Sequence, residues 1–517
     1  MTTTTRIYQN IYQDSVALMR ISAGLADLPG IEQASALMGT PANMDLLTES
    51  GLIEARPNTR PSDLVLVIRG EEAALDAAFA AAEAALTPQE STGDGEDRRP
   101  PPTSLLGALD EAPEANLALI STPGEFAGAE AMKALRAGLN VMLFSDNVPL
   151  DQEIALKQFA ASRDLLVMGP DCGTAIIGGA PLAFANKVRT GAIGIVGASG
   201  TGIQQVSCLI DRLGGGVSHA IGTGGRDLSG QVGGLTMLAG LRALGEDPET
   251  RVIVLISKPP SEEVARKVLD AAAGTGKPIV VNFLGADPAR MTGQGLHPAR
   301  TLEEAAHIAI ALETGAPPGF HSAGPDDERL IARAEALAQN LKPQQRYLRG
   351  LFTGGTFCYE AQLLLQDHLG DLYANSPTGR VQKLVSPFTS TAHTLIDLGD
   401  DVFTRGKPHP MIEPDTRNER LLQEIQDPET AVILLDVVLG YGAHEDPAGA
   451  LAGAIAGARA ANPDNLPVFI ASICGTDADP QNFARQQASL EALNVTLCAS
   501  NAEAAILALL VVQRRLK

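Results

Sequence analysis

The sequence contains no tryptophan, and aromatic residues make up only 4% of its 517 residues. Its apolar runs are short, and none reaches the roughly 18 apolar residues that a membrane-spanning helix requires. The N-terminal segment MTTTTRIYQN has no apolar stretch suited to a signal peptide. We therefore expect a cytoplasmic protein with no membrane partner.

Cysteine and basic residues are also scarce. The five cysteines are scattered and form no C-x-x-C pair, which is typical of free thiols in a cytoplasmic protein and argues against a metal site. Lys and Arg number 39 against 61 Asp and Glu, a formal net charge of −22. Because such a surface repels phosphate backbones and anionic lipids, we expect no nucleic-acid partner.

The N-terminal part of the chain predicts a small separate domain. Residues 1–87 read as three strands alternating with three helices, which suggests an α+β, ferredoxin-like domain. Residues 88–104 lie within the polar, Pro-rich stretch TPQESTGDGEDRRPPPTS and predict an exposed linker.

From Ala115 onward, short apolar runs alternate with amphipathic stretches of helical length. This rhythm is typical of parallel sheets covered by helices on both faces. We predict an α/β protein with three doubly wound, Rossmann- or flavodoxin-like units. The predicted units are residues 105–189, 190–318 and 319–517.

The segment IGIVGASGTG, Ile193 to Gly202, predicts a buried strand, a glycine-rich loop and a helix start. Ligands of parallel sheets bind beyond the carboxyl ends of strands, where helix N–H groups point at an anion. Ser199, Gly200, Thr201 and Gly202 are therefore candidates for binding a phosphate. The alternative is a loop that only turns the chain, with Ser199 or Thr201 as the helix N-cap.

A second glycine-rich strand end is GTGGRD, Gly222 to Asp227. Gly224 and Gly225 would allow close approach of a ligand, and Arg226 could form paired hydrogen bonds to a phosphate or carboxylate. The alternative for Arg226 is a surface ion pair, which contributes little energy.

Two segments resemble the α subunit of succinyl-CoA synthetase: MGPDCGT, Met168 to Thr174, and the GAIGIVGASGTG that follows it. The part after about Arg346 resembles the ligase domain of the β subunit. In that family the Ser-Gly-Thr loop, matched here by Ser199 to Thr201, holds a phosphorylated histidine. The resemblance implies a second, paired helix start at Leu439 to Gly449, which contains Gly440, Gly442 and His444.

The chain also departs from that family. The Gly-His-Ala-Gly motif of the phosphoryl carrier is absent, and the corresponding region has only His297 in a Leu-His-Pro context. The N-terminal CoA loop is missing, so the unit at 105–189 is CoA-binding-like without its loop, and no segment reads as a nucleotide-binding domain. We expect no certain cofactor, with CoA unlikely and phosphate or carbamoyl phosphate as the ligand.

Motifs along the whole chain resemble the FdrA family. They are QDSVALM (13–19), LMGTPANMDLL (37–47), NVMLFSDNV (140–148), VMGPDCGT (167–174), PLAFAN (181–186), GGRDLS (224–229), IDLGDD (396–401) and GKPHPMI (406–412). The resemblance implies one subunit of a hetero-oligomeric oxamate carbamoyltransferase of allantoin breakdown, acting with two further subunits. That enzyme interconverts oxalurate plus phosphate and oxamate plus carbamoyl phosphate.

Such a reaction needs a second anion site, for the oxamate carboxylate. The basic segment FTRGKPHPMI offers Arg405 and Lys407 for the carboxylate and His409 to protonate or orient a leaving nitrogen. Asp400 lies in the preceding acidic segment. The alternative is a solvated loop with incidental ion pairs, in which His409 is structural.

Secondary candidates at strand ends are Asp171, Cys172 and Lys258. A packed thiol is the better interpretation of Cys172, and a surface position suits Lys258 equally well. Three hypotheses for the function follow: a carbamoyltransferase subunit, an acyl-CoA synthetase (acid–thiol ligase) component, and a non-catalytic scaffold subunit.

Overall fold

The computed structural model describes the chain except residues 12, 14, 27, 50, 54, 87–101, 406, 462–465 and 516–517. Most of the predicted linker, 88–104, thus lies outside the described residues. The described chain forms two compact units, Met1–Glu111 with Phe403–Pro408, and Ala112–Val402 with His409–Lys517. Within the described residues, no helix has both the length and the apolar character needed to cross a membrane.

The first unit contains a small antiparallel sheet with strand order β1-β3-β2. Its elements are β1 (Thr2–Tyr8), α1 (Ser15–Ala26), β2 (Ile31–Met38), α2 (Pro41–Glu49), β3 (Leu64–Gly70), α3 (Glu72–Leu86) and α4 (Leu105–Glu111). Side chains of the central strand β3 alternate between two apolar clusters, one shared with α1 and α3 and the other with α2. This is the small N-terminal α+β domain that the sequence predicts, and the order corresponds to three strands of a ferredoxin-like sheet.

The second unit begins with a short parallel sheet of order β4-β5-β6. Its elements are β4 (Leu117–Ile120), α5 (Gly124–Arg136), β5 (Asn140–Leu143), α6 (Leu150–Ala161) and β6 (Val167–Met168).

A seven-stranded sheet follows, of order β13-β12-β11-β9-β10-β7-β8. Strands β9 to β13 are parallel, whereas β7 and β8 pair antiparallel at one edge. The elements are β7 (Thr174–Ile177), β8 (Ala180–Ala183), β9 (Ile193–Gly197), α7 (Gly200–Arg212), β10 (Val217–Gly222), α8 (Leu235–Glu246), β11 (Val252–Ser257), α9 (Glu262–Ala273), β12 (Ile279–Phe283), a 3₁₀ turn (Pro288–Arg290), β13 (Leu296–Pro298) and α10 (Leu302–Thr314). Strands β7 and β8 thus belong to this sheet, although they lie before Arg189, where the first predicted unit ends. The predicted domain boundaries stay predictions.

The last sheet is parallel throughout, with order β16-β15-β17-β14-β18-β19-β20. Its elements are α11 (Glu328–Ala338), β14 (Tyr347–Phe352), α12 (Gly355–Leu365), β15 (Leu372–Ala374), β16 (Gln382–Lys383), β17 (His393–Asp397), α13 (Asp401–Thr404), α14 (Asp415–Gln426), β18 (Thr430–Val438), α15 (Pro447–Ala461), β19 (Val468–Cys474), α16 (Phe483–Ala492), β20 (Thr496–Cys498) and α17 (Asn501–Arg515). Together these sheets confirm the predicted α/β, doubly wound fold.

Central strands of the large sheets are buried along their whole length, as for β11 and β18. Helices on both faces cause this burial, and the strands therefore read as apolar runs. In strand β18 this apolar run is interrupted by Asp436, whose carboxylate is completely buried. A buried charge needs hydrogen-bonding partners, and those partners lead to the candidate site.

Candidate anion-binding site at two helix N-termini

The predicted loop after β9 turns sharply into α7. Ser199 is the N-cap, and its Oγ accepts a hydrogen bond from the Gly202 N–H at 3.0 Å. A Cβ at Gly202 would lie 2.7 Å from that Oγ, so only glycine permits this approach. Ser199 and Gly202 therefore have the structural role of a helix cap.

Gly200 and Thr201 have a different environment. Their N–H groups make no hydrogen bond with any residue that the structure describes, and both residues are partly exposed. Unpaired N–H groups at a helix start carry partial positive charge, which favours an anion. This part of the loop is therefore open to a ligand.

A second helix start meets the first. Helix α12 follows β14, and its N-cap Gly354 provides no side-chain cap. The hydroxyls of Ser199 and Thr356 form a hydrogen bond, with the two oxygens 2.5 Å apart. The N–H groups of Gly355 and Thr356, like those of Gly200 and Thr201, have no acceptor among the described residues. The N-termini of α7 and α12, which follow strands of two different sheets, are thus in contact.

The paired helix start is not where the sequence analysis placed it. The segment Leu439 to Gly449 leads into α15, whose N-terminus is closed by the Asp446 carboxylate, the acceptor of the Gly449 N–H. Gly440 has a φ of +116° and lies against the backbone of Ala185. This segment therefore packs against the chain that precedes β9, and Gly354 to Thr356 form the paired helix start instead.

The buried carboxylate of Asp436 holds the start of α12. It accepts hydrogen bonds from the Thr353 N–H at 2.8 Å, the Thr353 hydroxyl at 3.1 Å and the Gly354 N–H at 2.7 Å. Burial raises the pKa of Asp436, whereas the buried Arg417 and these hydrogen bonds oppose that rise. The Arg417 guanidinium donates to the Asp436 carbonyl at 2.9 Å and lies 4.0 Å from the carboxylate.

Asp397 and Lys258 lie beside the same helix start. The Asp397 Oδ2 would be 2.6 Å from a Cβ at Gly355. Burial raises the pKa of Asp397 to about 6, against the hydrogen bond from the Gly399 N–H and the nearby charge of Lys258. The exposed Lys258 ammonium lies 5.0 Å from the ring centroid of Tyr359 on α12. The region thus has an exposed cation beside a carboxylate whose pKa is raised to about 6, a combination common in functional sites.

His409 lies against the turn that follows Asp397. A Cβ at Gly399 would be 2.7 Å from the His409 Nε2. Its Nδ1 accepts the Met411 N–H at 3.2 Å, so the proton of the neutral ring is on Nε2. Burial lowers the pKa of His409 to about 4. At neutral pH it can donate a hydrogen bond but does not carry the imidazolium proton that a general acid would transfer.

Arg226 is occupied by structural contacts. Its guanidinium donates to the Val148 carbonyl at 2.7 Å and pairs with the buried Glu153 at 2.9 Å. Glu153 also pairs with the buried Lys157, which bonds Asp227 at 2.7 Å. These contacts therefore favour the interpretation of Arg226 as an ion-pair residue. The pair differs from the expected surface pair because its acid, Glu153, is buried. Gly224 and Gly225 lie against the segment Gly169 to Asp171.

Four further residues predicted from the sequence are divided between the two units of the structure. Arg405 and Lys407 are exposed and belong to the first unit, whereas His409 belongs to the second, so their grouping as a carboxylate site stays a prediction. Asp400 accepts the Val402 N–H at 3.1 Å. Desolvation, followed by Asp146 and Asp401, raises the pKa of Asp171 to about 6.

Three further candidates have structural environments. Burial raises the pKa of Cys172 to about 12, which leaves a packed, protonated thiol. The His444 Nδ1 accepts the Asp446 N–H at 3.0 Å, and a Cβ at Gly442 would lie 2.9 Å from the Phe184 ring. His297 is on the edge strand β13. Among the described residues, no cluster of His, Cys, Asp and Glu could hold a metal ion.

Comparison with known proteins identifies the family. The chain is 44% identical to the uncharacterized protein YahF of Escherichia coli K12 over 510 residues, which cover 97% of each chain. The chain belongs to the same FdrA-like family as YahF. Three family models each match a part of this FdrA-like chain. They are the AllF heavy metal-associated domain over residues 1–101, the CoA-binding domain over 188–285, and CoA-ligase over 351–511.

Other relatives match a part of this FdrA-like chain. The α2 subunit of the ADP-forming succinate–CoA ligase of Archaeoglobus fulgidus is 29% identical, over 37% of this chain and 66% of that subunit. The sulfoacetate–CoA ligase subunit SauD of Bilophila wadsworthia is 30% identical, over 33% and 59%. The apo dinucleotide-forming acetyl-CoA synthetase 1 of Ca. Korarchaeum cryptofilum is 16% identical, with a TM-score of 0.32, over 78% of this chain and 83% of that one.

Both halves of the helix pair fall within these matches. The CoA-binding match includes Ser199 to Gly202, and the CoA-ligase match includes Gly354 to Thr356. The CoA-binding match thus falls on residues 188–285, whereas the sequence analysis placed the CoA-binding-like unit at 105–189. The chain is therefore built from CoA-ligase-like and CoA-binding-like domains after an AllF-related N-terminal domain.

Proposed function

We propose that this chain is the component of an acyl-transferring enzyme of the acid–thiol ligase type that holds phosphate or the phosphoryl group of an acyl phosphate. The observation that carries the proposal is the contact of the α7 and α12 N-termini through Ser199 and Thr356, beside four N–H groups that have no acceptor among the described residues. Such N–H groups are suited to an oxyanion because they are fixed in position before it binds.

The surrounding charges fit this role. Lys258 supplies an exposed cation near α12, while Asp397 lies next to Gly355 with a raised pKa of about 6. A bound phosphate would raise that pKa further, so Asp397 would be protonated and able to donate to the anion or to a leaving group. His409 would contribute a neutral Nε2–H.

The rest of a ligase cycle would come from partner subunits, because no segment of the sequence reads as a nucleotide-binding domain. The resemblance to the FdrA family implies two of them. Calorimetric titration of CoA into the isolated chain tests whether this chain itself binds CoA. We predict no binding at micromolar CoA, although the CoA-binding match includes the α7 loop.

A second candidate is carbamoyl transfer from oxalurate to phosphate. It is supported by the FdrA-like family, by the AllF-related N-terminal domain and by the absence of a Gly-His-Ala-Gly carrier motif. Direct attack of phosphate on a carbamoyl carbon requires no phosphohistidine, so a phosphate site without a carrier is consistent with it.

The test is to purify the chain with the subunits that copurify with it and to run two assays in parallel. One assay follows nucleotide-dependent acyl-CoA formation, and the other follows phosphate-dependent loss of oxalurate. We expect one activity, and we expect Gly200→Val to abolish it without disassembling the complex. Full activity in a Gly200→Val complex would remove the helix pair from the reaction and leave a scaffold role.

A further inference from the structure

The second unit contains a cavity of about 460 Å³ that is separate from the paired helix starts. It lies at the end of the edge strand β13, beside the first turns of α10. Its volume is within the range of small-molecule sites. None of the candidate residues of the anion site lines this cavity. His297, from the region that corresponds to the carrier motif, does line it.

One side of the cavity carries a cation without a partner. Arg300 lines the cavity, and its guanidinium makes no ion pair or hydrogen bond with any residue that the structure describes. A free guanidinium offers paired donors that match the two oxygens of a carboxylate or phosphate.

The one acid that lines the cavity does not cancel this charge. Glu304 is buried, and its two carboxylate oxygens accept the N–H groups of Arg300 at 2.7 Å and Ser322 at 3.2 Å. It also lies in the first turn of α10, where the helix dipole stabilises a carboxylate. The charge of Glu304 is thus compensated by these two N–H groups, with the His321 Nδ1 a further 3.7 Å from its Oε1, and Arg300 stays available to a ligand.

Part of the cavity lining is apolar. Phe320 lines it and is fixed by stacking on His307, with ring centroids 3.6 Å apart and planes at 8°. Ile308 and Pro318 extend this surface. His297 adds a half-buried imidazole that has no partner among the described residues and is neutral at pH 7 because burial lowers its pKa.

We propose that this cavity binds a small organic oxyanion with a flat ring, with the oxyanion on Arg300 and the ring beside Phe320. The ligand is distinct from the phosphate at the helix pair, because inorganic phosphate has no surface to bury against Phe320, Ile308 and Pro318.

The probes for the test are benzoate and phenyl phosphate, added to the full chain and followed by saturation-transfer NMR. We expect at least one probe to bind at millimolar concentration. Arg300→Gln should weaken it about tenfold or more, because a charge-assisted hydrogen bond is lost. Pro318→Trp, which fills the mouth, should block it. Binding of benzoate alone would identify a carboxylate ligand, and binding of phenyl phosphate alone a phosphate ester.

The matched control is Arg290→Gln, which removes an exposed arginine of the neighbouring 3₁₀ turn that does not line the cavity. It should bind both probes as the wild type does, and Gly200→Val, at the other site, should bind benzoate as the wild type does. The proposal is overturned if neither probe binds, or if Arg300→Gln and Pro318→Trp, both folded by circular dichroism, bind as the wild type does.

Discussion

The Ser199 Oγ lies 2.5 Å from the Thr356 Oγ1, although 157 positions separate the two residues in the sequence. This hydrogen bond joins the N-cap of α7 to the first turn of α12, and each helix follows a strand of a different sheet. The partial positive charges of two helix N-termini repel each other unless an anion lies nearby. The contact therefore supports the proposal that a phosphate binds beside it.

We expect Thr356→Val to weaken phosphate binding by a factor of about 3 to 10, the value of one neutral hydrogen bond. The substitution removes the hydroxyl and nearly keeps the volume. Ser199→Ala should have a larger effect, because it also removes the N-cap of α7. Phosphate titrations of both single variants and the double variant measure the coupling, and strictly additive losses would show that the hydroxyls do not act together.

We expect Asp397→Asn to bind phosphate more tightly than the wild type above pH 6, because it removes a negative charge beside Gly355. In the wild type, the carboxylate becomes charged as the pH rises through its pKa of about 6, so phosphate affinity should fall over that range. The variant should lack this component of the fall. Calorimetric titrations at several pH values measure it, with Asp270→Asn at an exposed position of α9 as the control, and equal pH profiles for all three proteins would contradict the assignment.

We expect Asp436→Leu to destabilise the protein by about 3–5 kcal/mol, because the buried Arg417 and the Thr353 and Gly354 N–H groups lose their partner. Adding Arg417→Met should recover part of the loss, since no charge is then buried alone. Urea unfolding midpoints measure both. A double variant whose loss equals the sum of the two single losses would show that Arg417 and Asp436 are not coupled.

The buried Glu360 of α12 should make the protein less stable as the pH rises. Burial raises the pKa of Glu360 from 4.5 to about 7, and its oxygens accept the Leu302 N–H and the Asn501 amide. Between those pH values the folded state binds a proton that the unfolded state has released, so stability is lost as the pH rises through this window. The difference in apparent Tm between Glu360→Gln and the wild type should become more favourable to the variant from pH 5 to 8.

The matched control for this pH dependence is Glu419→Gln, at an exposed position of α14. Its apparent Tm should follow that of the wild type at every pH. A Glu360→Gln variant that shows the same pH dependence as the wild type would mean that Glu360 does not release its proton in this window.

The sequence predicts the architecture well because parallel strands buried on both faces produce continuous apolar runs, such as VIVLIS in β11. It also predicts the open helix start at Gly200 and Thr201, since a strand, a glycine loop and a helix follow one another along the chain. These features depend on residues that are close in sequence.

Features that depend on strand order were missed. The segment FTGGT is a visible strand end, but its pairing with Ser199 requires two sheets to be assembled. The sequence leaves two roles open for Arg226, a phosphate ligand or an ion-pair residue, and the partner in its ion pair, Glu153, lies 73 positions earlier. Asp436 does carry a signal in the sequence, because a single carboxylate within the apolar run TAVILLDVV requires hydrogen-bonding partners if the strand is buried.

The most direct test of the central claim is calorimetric titration of inorganic phosphate into the full chain and into Gly200→Val. A Cβ at position 200 would lie 3.2 Å from the Thr174 Oγ1, so a branched valine there should crowd the turn that presents the Gly200 and Thr201 N–H groups. The control is Gly453→Val, at an exposed helical position with open space around it. We expect wild type and Gly453→Val to bind phosphate equally, and Gly200→Val to bind it about tenfold more weakly or worse, the value of one charge-assisted hydrogen bond. Equal binding by a folded Gly200→Val protein would contradict the account, and the paired helix starts would then be a packing feature alone.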